Sequence, residues 1–468
     1  MKVVLAGFNI EAEMIERLGT RGREPLTPEV ISAAYARVSR DPRSVSALRK
    51  EARREVEWAR RSNEKIIFGL GHASVAEHAV FNFDLMGISR LAVEEIEHFR
   101  LASFTEKSQR YIRLGRDLVI PQVVKEYGFE KEFLRVMKQL CSTYEKLFNK
   151  IIATGEEEGV AKEDARYLMP LATSAQLGMT LNARELEYMI SKLASHPLHE
   201  LQILSKKLSR VSVKVTPSLN RYPEPTVYYM SGPSMRREIS ETVSSKRISS
   251  QAAEGVVRLI DATPDGDRRL VASIIFSSGG VTMKDAMRAA SRLRPSSVAR
   301  LLSKTMKQMQ PHDSVWREFE NIHLLFELTV SASCYAQLKR HRMATIIPQP
   351  YDPALGLSVP ASVRKAKAVR QFRETVTKAE RLYRTLRRHV GQAADYALTN
   401  AHRRRVLLGL NMRELYHFSR LRSDRHAQWE IREISDRMCM LASERLPASS
   451  ILLCGKDRFN EKKSKAFY

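Results

Sequence analysis

The chain has 468 residues, of which 43% are hydrophobic and 28% are charged, and its formal net charge is +25 at pH 7. This length predicts two domains of roughly 200 to 230 residues, each with enough apolar residues for its own core. No stretch approaches roughly 18 consecutive apolar residues and MKVVLAGFNI is too short for a signal peptide, so we expect a cytoplasmic protein with no membrane partner.

The spacing of the cysteines and the distribution of charge argue against several other classes of protein. Cys141, Cys334, Cys439 and Cys454 show no CxxC or disulfide spacing, which predicts reduced thiols and no metal site. A basic chain attracts nucleic acid, acidic membranes and small polyanions alike. Because the basic residues are spread along the chain with few aromatic residues among them, dedicated nucleic-acid binding is not expected.

In chain order, the first strong pattern is FNFDL, in which Phe81, Phe83 and Leu85 alternate with polar residues. The alternation predicts a half-buried strand, and a helical stretch is expected to begin near Ser89. A long helix is expected after Asn182, because Asn followed three residues later by Glu is an ordinary helix start. These elements predict an α+β fold with long helices rather than alternating βαβ units.

The same patterns return in the second half of the chain. PHDSVWREFENIHLLFEL echoes GHASVAEHAVFNFDL, with His72 and His312 separated by 240 residues. ISRLAVEEIEHFRLAS aligns with VSASCYAQLKRHRMAT at an offset of 242, and LNAREL returns as LNMREL, from Leu410, at an offset of 229. Three blocks in the same order predict a duplicated domain.

We assign the first copy to residues 1–229 and the second to residues 255–468. The segment 230–254 is polar, contains Gly and Pro and matches neither copy, so we interpret it as the linker.

The stretch QLKRHR places Gln337, Arg340 and His341 at positions i, i+3 and i+4. This spacing predicts that all three project from one face of a helix, where they could hold a planar anionic ligand. In a chain with 78 Lys and Arg, the same triplet is also typical of a solvated basic turn.

Four ordered motifs resemble the flavin-dependent thymidylate synthase family, whose signature is Arg-His-Arg, two residues, Ser, one residue, Asn-Glu, one residue, Ser, one residue, Arg. The resemblance covers nearly the whole chain twice. The residues that carry it in the two copies are His72, Ser74, Glu77 and His78; Arg100, Ser103, Glu106, Ser108 and Arg110; Ala165, Arg166 and Pro170; Arg340, His341 and Arg342; and Asn411, Arg413, Arg422 and His426 to Ile431.

Each copy departs from the family pattern where the other keeps it. Copy one has Glu95, His98, Phe99 and Ala194 at the positions of the family's Gln, Arg-His and later Arg, but keeps Glu106, Ser108, Arg110 and Arg166. Copy two keeps Gln337, Arg340, His341, Arg342 and Arg422, but has Pro348, Pro350, Asp352 and Asp395 at the positions of Glu106, Ser108, Arg110 and Arg166.

The resembled family forms homotetramers with nucleotide sites shared between subunits. The resemblance therefore implies one complete composite site, made of the residues that each copy retains. The opposite combination would set two carboxylates where two arginines are needed, and these would repel a dianionic phosphate. Since one chain would replace two subunits, the resemblance implies a homodimer.

The implied reaction methylates dUMP with methylenetetrahydrofolate as carbon donor, reduced FAD as hydride donor and NADPH as reductant of the flavin. The implied catalytic residues are Arg422, which would stabilise negative charge on the ring, Gln337, which would orient the base, and Ser108, for which a hydrogen-bonding role is favoured over that of a nucleophile. The implied substrate-binding residues are Gln337, Arg340, Glu106, Ser108, Arg110, Arg166 and Arg422.

The resemblance also implies a set of FAD contacts in both copies. Thr105 stands in place of the family's Asn, which puts one of the expected contacts in doubt. The implied FAD residues are His72, Ser74, Glu77, Glu106, Arg340, His341, Arg342, Asn411, Arg413 and His417.

Two alternatives remain open. One is a flavoenzyme that modifies another pyrimidine nucleotide. The other is a non-catalytic nucleotide- or nucleic-acid-binding protein on the same scaffold, which the basic charge and the run AHRRR at 401–405 would suit.

Overall fold

Two antiparallel sheets form the framework of the computed structural model, which describes residues 1–12, 27–38, 41–219, 224–243 and 256–467. Within each sheet the strand order is the same, β1-β2-β4-β3 in the first and β5-β6-β8-β7 in the second, so the predicted α+β fold with two copies is confirmed. The strands are β1 (Lys2–Phe8), β2 (Val80–Ser89), β3 (Ala102–Glu106), β4 (Ser174–Asn182), β5 (Val257–Ala262), β6 (His323–Ser331), β7 (Thr345–Pro348) and β8 (Arg403–Asn411).

The central strands show the alternation that the sequence predicts. In β2, Phe81, Phe83 and Leu85 are buried and the residues between them are exposed. In β6, Phe326 and Leu328 are buried in the same way, but the last residues of the strand are buried on both faces. Each large side chain removed from water contributes about 1.5 to 3 kcal/mol, so the alternation fixes which face of each sheet packs on its helices.

Helices account for most of the remaining described residues. The α-helices are α1 (Glu29–Arg37), α2 (Val45–Arg54), α3 (Val56–Glu64), α4 (Arg90–Ile96), α5 (Gln122–Glu126), α6 (Glu130–Ile152), α7 (Glu158–Ala165), α8 (Ala183–Ala194), α9 (His199–Ser212), α10 (Val227–Val243), α11 (Gly266–Ser277), α12 (Met283–Ser291), α13 (Pro295–Met306), α14 (Ala332–Leu338), α15 (Ala361–Lys365), α16 (Val369–Val390), α17 (Met412–Arg422), α18 (Trp429–Arg445) and α19 (Phe459–Phe467). Lys65–Gly69 forms a π-helical turn, and 3₁₀ turns lie at Ala73–His78, Arg166–Leu168, Pro217–Leu219, Arg317–Asn321, Pro353–Leu355, Gly391–Ala397 and Lys456–Arg458.

The helix starts are capped as expected in both copies. Asn182 accepts a hydrogen bond from the third backbone N–H of α8, and Asn411 does the same for α17. Ser89 caps α4, and its backbone N–H and hydroxyl also donate to Glu200 at 2.7 and 2.6 Å. The repeated caps confirm that the two copies share local structure as well as sequence.

The compact units do not follow the order of the repeated sequence. One unit comprises Met1–Ile248 and Ala366–Thr399, and the other comprises Ser249–Lys365 and Asn400–Tyr468. The long helix α16 therefore belongs to the first unit although it lies within the second copy. The predicted boundaries at 229 and 255 describe the repeat and remain a prediction for the folding units.

Helix α16 is held in the first unit by an antiparallel contact with α6. Thr375 hydrogen-bonds to Thr143 at 3.4 Å, and Lys150 donates to Gln371 at 2.8 Å. The ring of His389, at the other end of α16, lies 5.2 Å from that of Phe129 just before α6. Both helices carry a buried apolar stripe at helical spacing, which is why they pack together.

The predicted linker 230–254 is only partly described. Residues 230–243 continue α10, a helix with no buried residue, and 244–254 lie outside the described residues. All four cysteines are buried and unlinked. Within the described ranges, no helix combines the length and the apolarity that a membrane crossing requires.

Candidate functional site

The predicted helix face of QLKRHR is corrected by the structure. Helix α14 ends at Leu338, so only Gln337 of the three residues lies on it. The chain leaves the helix through a tight turn in which the His341 N–H donates to the Leu338 carbonyl at 3.1 Å. Arg340 is exposed in this turn, whereas His341 is buried and directed into the second unit.

Arg422, the last residue of α17, contacts two of the buried residues of QLKRHR, Gln337 and His341. Its Nε donates to Nε2 of His341 at 2.9 Å, and its Nη2 donates to the backbone carbonyl of Gln337 at 3.2 Å. Nη1 lies 3.5 Å from Oε1 of Gln337. The guanidinium is therefore held in one plane before any ligand arrives, which is the preorganisation that charge stabilisation requires.

A carboxylate sets the state of His341 from the other side. Nδ1 of His341 lies 3.1 Å from Oε1 of Glu414, and burial, with the nearby positive charge of Arg422, lowers the pKa of His341 well below its usual value. The ring is neutral. Since Nε2 accepts from Arg422, Nδ1 must carry the hydrogen and donate it to Glu414.

Gln337 has one side-chain group left over. The residue is 5% exposed, and its Nε2 makes no hydrogen bond within the described part of the chain. A buried amide donor without a partner costs free energy, so this group is suited to a ligand oxygen. The other polar atom of the same amide, Oε1, lies 3.5 Å from Nη1 of Arg422, so the Gln337 amide donor is close to the guanidinium.

Of the expected FAD residues of copy two, Arg342 and His417 lie next to this cluster, and Asn411 and Arg413 lie at the start of α17. Arg342 and His417 are exposed, and the His417 ring meets that of His341 edge-on at 5.8 Å. Asn411 caps α17 through its side-chain oxygen. Arg413 donates to Glu320 at 2.7 Å and to the Val315 carbonyl at 3.1 Å.

The first unit assembles the other retained motif. Glu106 ends β3 and lies 3.7 Å from the guanidinium of Arg90. Ser108 follows in a turn, where its hydroxyl oxygen accepts from the Arg110 N–H at 3.1 Å. This bond leaves the hydroxyl hydrogen of Ser108 for another acceptor.

Glu163 connects the two arginines of this motif. Arg110 forms an ion pair with its carboxylate, and Arg166 donates from Nε to its backbone carbonyl at 3.1 Å. Arg166 is 5% exposed, and this burial lowers its pKa. Glu163 thus brings two guanidinium groups together, Arg110 through its carboxylate and Arg166 through its backbone carbonyl.

The remaining FAD residues of copy one lie on the turn before β2. His72 and Ser74 are exposed, and Glu77 forms an ion pair with Arg184 at 2.6 Å. This pair corresponds to Arg413 with Glu320 in copy two. The structure therefore repeats an ion pair that the sequence blocks did not align.

Two of the positions that copy one has lost hold buried apolar side chains in the first unit. Phe99 stands where copy two has His341, and its ring meets Tyr188 edge-on at 5.5 Å. Counted from the Asn caps, the residue at the position of Arg422 is Leu193 and not Ala194, because both follow their cap by eleven residues. Either residue is apolar, so no guanidinium is present there.

The positions that copy two has lost are equally unsuited to an anion. Asp352 caps the 3₁₀ turn after β7 through a 2.9 Å bond to the Ala354 N–H. Asp395 is 3% exposed and lies 3.9 Å from Arg387 within the first unit. Pro348 ends β7 and has no N–H to offer a ligand.

Sequence reasoning missed three carboxylates that orient the predicted residues: Glu163, Glu414 and Glu320. Glu163 stands three residues before Arg166, and Glu414 stands three residues after the helix cap Asn411. The first spacing brings Arg166 to the backbone carbonyl of Glu163, whereas the carboxylate pairs with Arg110, 53 residues away. For Glu414 and Glu320 the partners are distant in the chain, so only the fold identifies them.

Comparison with known proteins identifies the family. The family model for thymidylate synthase complementing proteins matches residues 24–218 and 258–448. The UPF0159 protein Ta1429 of Thermoplasma acidophilum is 22% identical over 466 residues, which cover 87% of this chain and 91% of that protein. A flavin-dependent thymidylate synthase of Pyrococcus furiosus is 34% identical over 28% of this chain, and the match spans only 58% of that protein.

Among solved structures, a UMP/dUMP methylase, PolB from Streptomyces cacaoi, matches 42% of this chain and 92% of its own, at 19% identity and a TM-score of 0.34. The family model covers most of the chain in two successive matches. The chain therefore belongs to the thymidylate synthase complementing protein family, with the family's domain present twice.

Proposed function

We propose that this protein is a flavin-dependent thymidylate synthase that converts dUMP to dTMP. One carbon moves from methylenetetrahydrofolate to C5 of the uracil, two hydrogens come from reduced FAD, and the C5 hydrogen leaves as a proton. The products are dTMP, tetrahydrofolate and oxidised flavin. NADPH is the proposed reductant of the flavin, and the cytoplasm is the proposed compartment.

The observation that carries this proposal is the buried cluster of Gln337, His341 and Arg422. A uracil ring presents carbonyl oxygens, and the Gln337 amide offers a buried donor without a partner. Arg422 is held by three contacts to the same two residues. A fixed guanidinium beside the base stabilises the negative charge that develops as C5 becomes nucleophilic.

The phosphate is assigned to the arginines that copy one retains. Arg110 and Arg166 both lie beside Glu163, Arg110 in an ion pair with its carboxylate and Arg166 in a hydrogen bond to its backbone carbonyl, so two cations lie close together. Arginine forks bind phosphate through paired hydrogen bonds. We propose that Glu106 and Ser108 form hydrogen bonds with the nucleotide. The exposed Arg340 is proposed to add a further cationic contact.

The two copies are proposed to contribute to one nucleotide site jointly, because neither keeps the whole set. The reverse combination carries Asp352 and Asp395, and both carboxylates already have structural roles as a cap and an ion-pair partner. Their charge disfavours a phosphate. One nucleotide per chain is the expected stoichiometry, and we propose that two chains associate as a homodimer.

The chemistry of the donor set suits FAD. The cofactor is an anion, and Arg342, Arg413, His417 and His72 offer cationic or neutral donors on exposed or half-buried surfaces. Bound FAD would supply the hydride, while His341 and Glu414 hold Arg422 in place. No cysteine occupies these motif positions, so the protein's own groups act by positioning and charge.

The purified protein tests the proposal directly. We expect it to carry FAD, and the reduced flavin to reoxidise without oxygen when dUMP and methylenetetrahydrofolate are added together, with dTMP as product. UMP and dCMP serve as parallel substrates, since a product from either but not from dUMP would assign another pyrimidine. A protein without flavin that forms no dTMP would overturn the assignment.

A further inference from the structure

The solvent face of α16 is a continuous basic stripe. The helix carries seven Lys and Arg residues against two glutamates, a net charge of +5, and all seven cations are exposed. At 100° per residue, Arg370, Arg373, Arg381, Arg384 and Arg388 fall within an arc of about 80°. The buried residues of the helix lie on the opposite side, so the stripe faces solvent along about 27 Å.

Carboxylates neutralise only part of this charge. Arg370 pairs with Glu374, Arg384 pairs with Glu380, and Arg387 lies near Asp395. No ion pair is present for Arg373, Lys378, Arg381 or Arg388 among the residues that the structure describes. Like charges one helical turn apart repel each other, so this arrangement opposes helix formation unless an anion is bound.

The corresponding helix of copy one provides an internal comparison. Helix α6 also lies between the third and fourth strands of its sheet, but it has five Lys and Arg residues against three glutamates, a net charge of +2. The concentration of arginine is therefore a property of α16 and not of the repeated element. The fold therefore concentrates on one helix face basic residues that are dispersed in the sequence.

We propose that the α16 stripe binds the sugar-phosphate backbone of nucleic acid, independently of base sequence. Six of the seven cations are arginines, whose planar forks match phosphate oxygens. A duplex carries one negative charge per roughly 1.7 Å of its axis, so a stripe about 27 Å long lies beside several phosphates at once. An exposed convex helix reaches phosphates without reading base edges.

Other occupants fit less well. An acidic membrane surface requires large apolar residues beside the cations, and none of the exposed large hydrophobic residues lies on α16. A second copy of the chain in a two-fold contact would bring two positive stripes together. A mononucleotide is too short for a site of this length. Charge and shape together favour a nucleic acid.

The test compares two variants of equal net charge. R373Q/R381Q/R388Q removes three exposed arginines of the stripe, and Gln keeps good helix propensity. The control K206Q/R210Q/K214Q removes three exposed cations on and just after α9. Both lower the net charge of +25 by three, so overall electrostatics is matched.

Fluorescence anisotropy with a labelled 20-base-pair duplex of arbitrary sequence measures binding across a salt series. We expect the stripe variant to bind at least tenfold more weakly, with a log–log salt slope about three units smaller, and the control to stay within twofold of the parent. Circular dichroism checks that both variants fold.

Equal losses in the two variants would assign binding to general charge and overturn the proposal. So would no binding by the parent, or an equal stripe-dependent affinity for vesicles of acidic phospholipid. Binding is measured without dUMP, folate or reductant. The outcome therefore does not depend on whether the chain makes dTMP.

Discussion

The Nε of Arg422 donates to Nε2 of His341 across 2.9 Å, although the two residues are 81 positions apart in the chain. In copy one the equivalent positions hold Leu193 and Phe99, both buried. The bond therefore exists in one copy only. It distinguishes the copy that can hold a fixed guanidinium from the copy that cannot.

Replacement of Arg422 by Ala should remove the charge that stabilises the reacting base. We expect kcat for dTMP formation to fall by about 10²- to 10³-fold, as for loss of one preorganised donor. The control is R184A, which alters an ion pair to Glu77 in the copy without the cluster. Steady-state assays measure kcat for both variants. Equal activity in the two would contradict the proposal that only one composite set of residues is catalytic.

Glu414 should influence catalysis through His341 without contact with the substrate. E414A leaves the Nδ1 hydrogen of His341 without its acceptor, so the ring is free to rotate away from Arg422. We expect about a tenfold loss in kcat, and no further loss when H341Q is added, because the two residues act in series. E414Q retains an oxygen acceptor and should recover part of the activity. Additive losses would show that Glu414 acts elsewhere.

The buried His341 should make the protein sensitive to acid. The pKa of His341 is lowered in the folded protein, whereas in the unfolded chain the pKa of a histidine is about 6.5. Below that pH the unfolded state binds a proton at His341 and the folded state does not. The free energy of unfolding therefore falls as the pH falls, and His341 has no effect on it at higher pH. Denaturant titrations of H341Q at pH 7.5 and 5.5 should show a pH-dependent loss smaller by about 1 kcal/mol than in the parent. An unchanged loss would assign the acid sensitivity to other groups.

Glu430 should be important for the stability of the second unit. Its carboxylate is buried and accepts from the Ser331 N–H and hydroxyl and from the Ser358 hydroxyl, at 3.1, 2.5 and 2.7 Å. E430A leaves these buried donors unpaired, at a cost of about 3 kcal/mol. Thermal unfolding and hydrogen exchange of β6 and α14 measure the effect. E433A, on an exposed position of the same helix, should change stability by less than about 0.5 kcal/mol.

Glu163 should weaken phosphate binding through its charge. E163Q keeps an oxygen acceptor for Arg110 but removes one negative charge beside both arginines. The Kd for dUMP should fall about two- to fivefold at low salt, and the difference should shrink as salt screens the charge. Isothermal titration measures both. A rise in Kd would show that the orientation of Arg110 by the carboxylate matters more than its charge.

Local patterns were sufficient for much of the architecture. Alternation in β2, the Asn caps of α8 and α17 and the helix start near Ser89 are all properties of a few neighbouring residues, and all were confirmed. The duplication followed from ordered blocks at nearly constant offsets. The identity of the candidate site residues depended on the motifs, and their roles remain predictions.

Tertiary structure decided what depends on distant partners. The end of α14 at Leu338 turns His341 inward, where Arg422 and Glu414 meet it, and no periodicity in QLKRHR predicts that turn. The packing of α16 in the first unit, and with it the exposed basic stripe, follows from apolar contacts with α6. Local patterns predicted the elements and the motifs because these depend on neighbouring residues. Burial, pairing and the concentration of charge arise between segments far apart in the chain, so they depend on the fold.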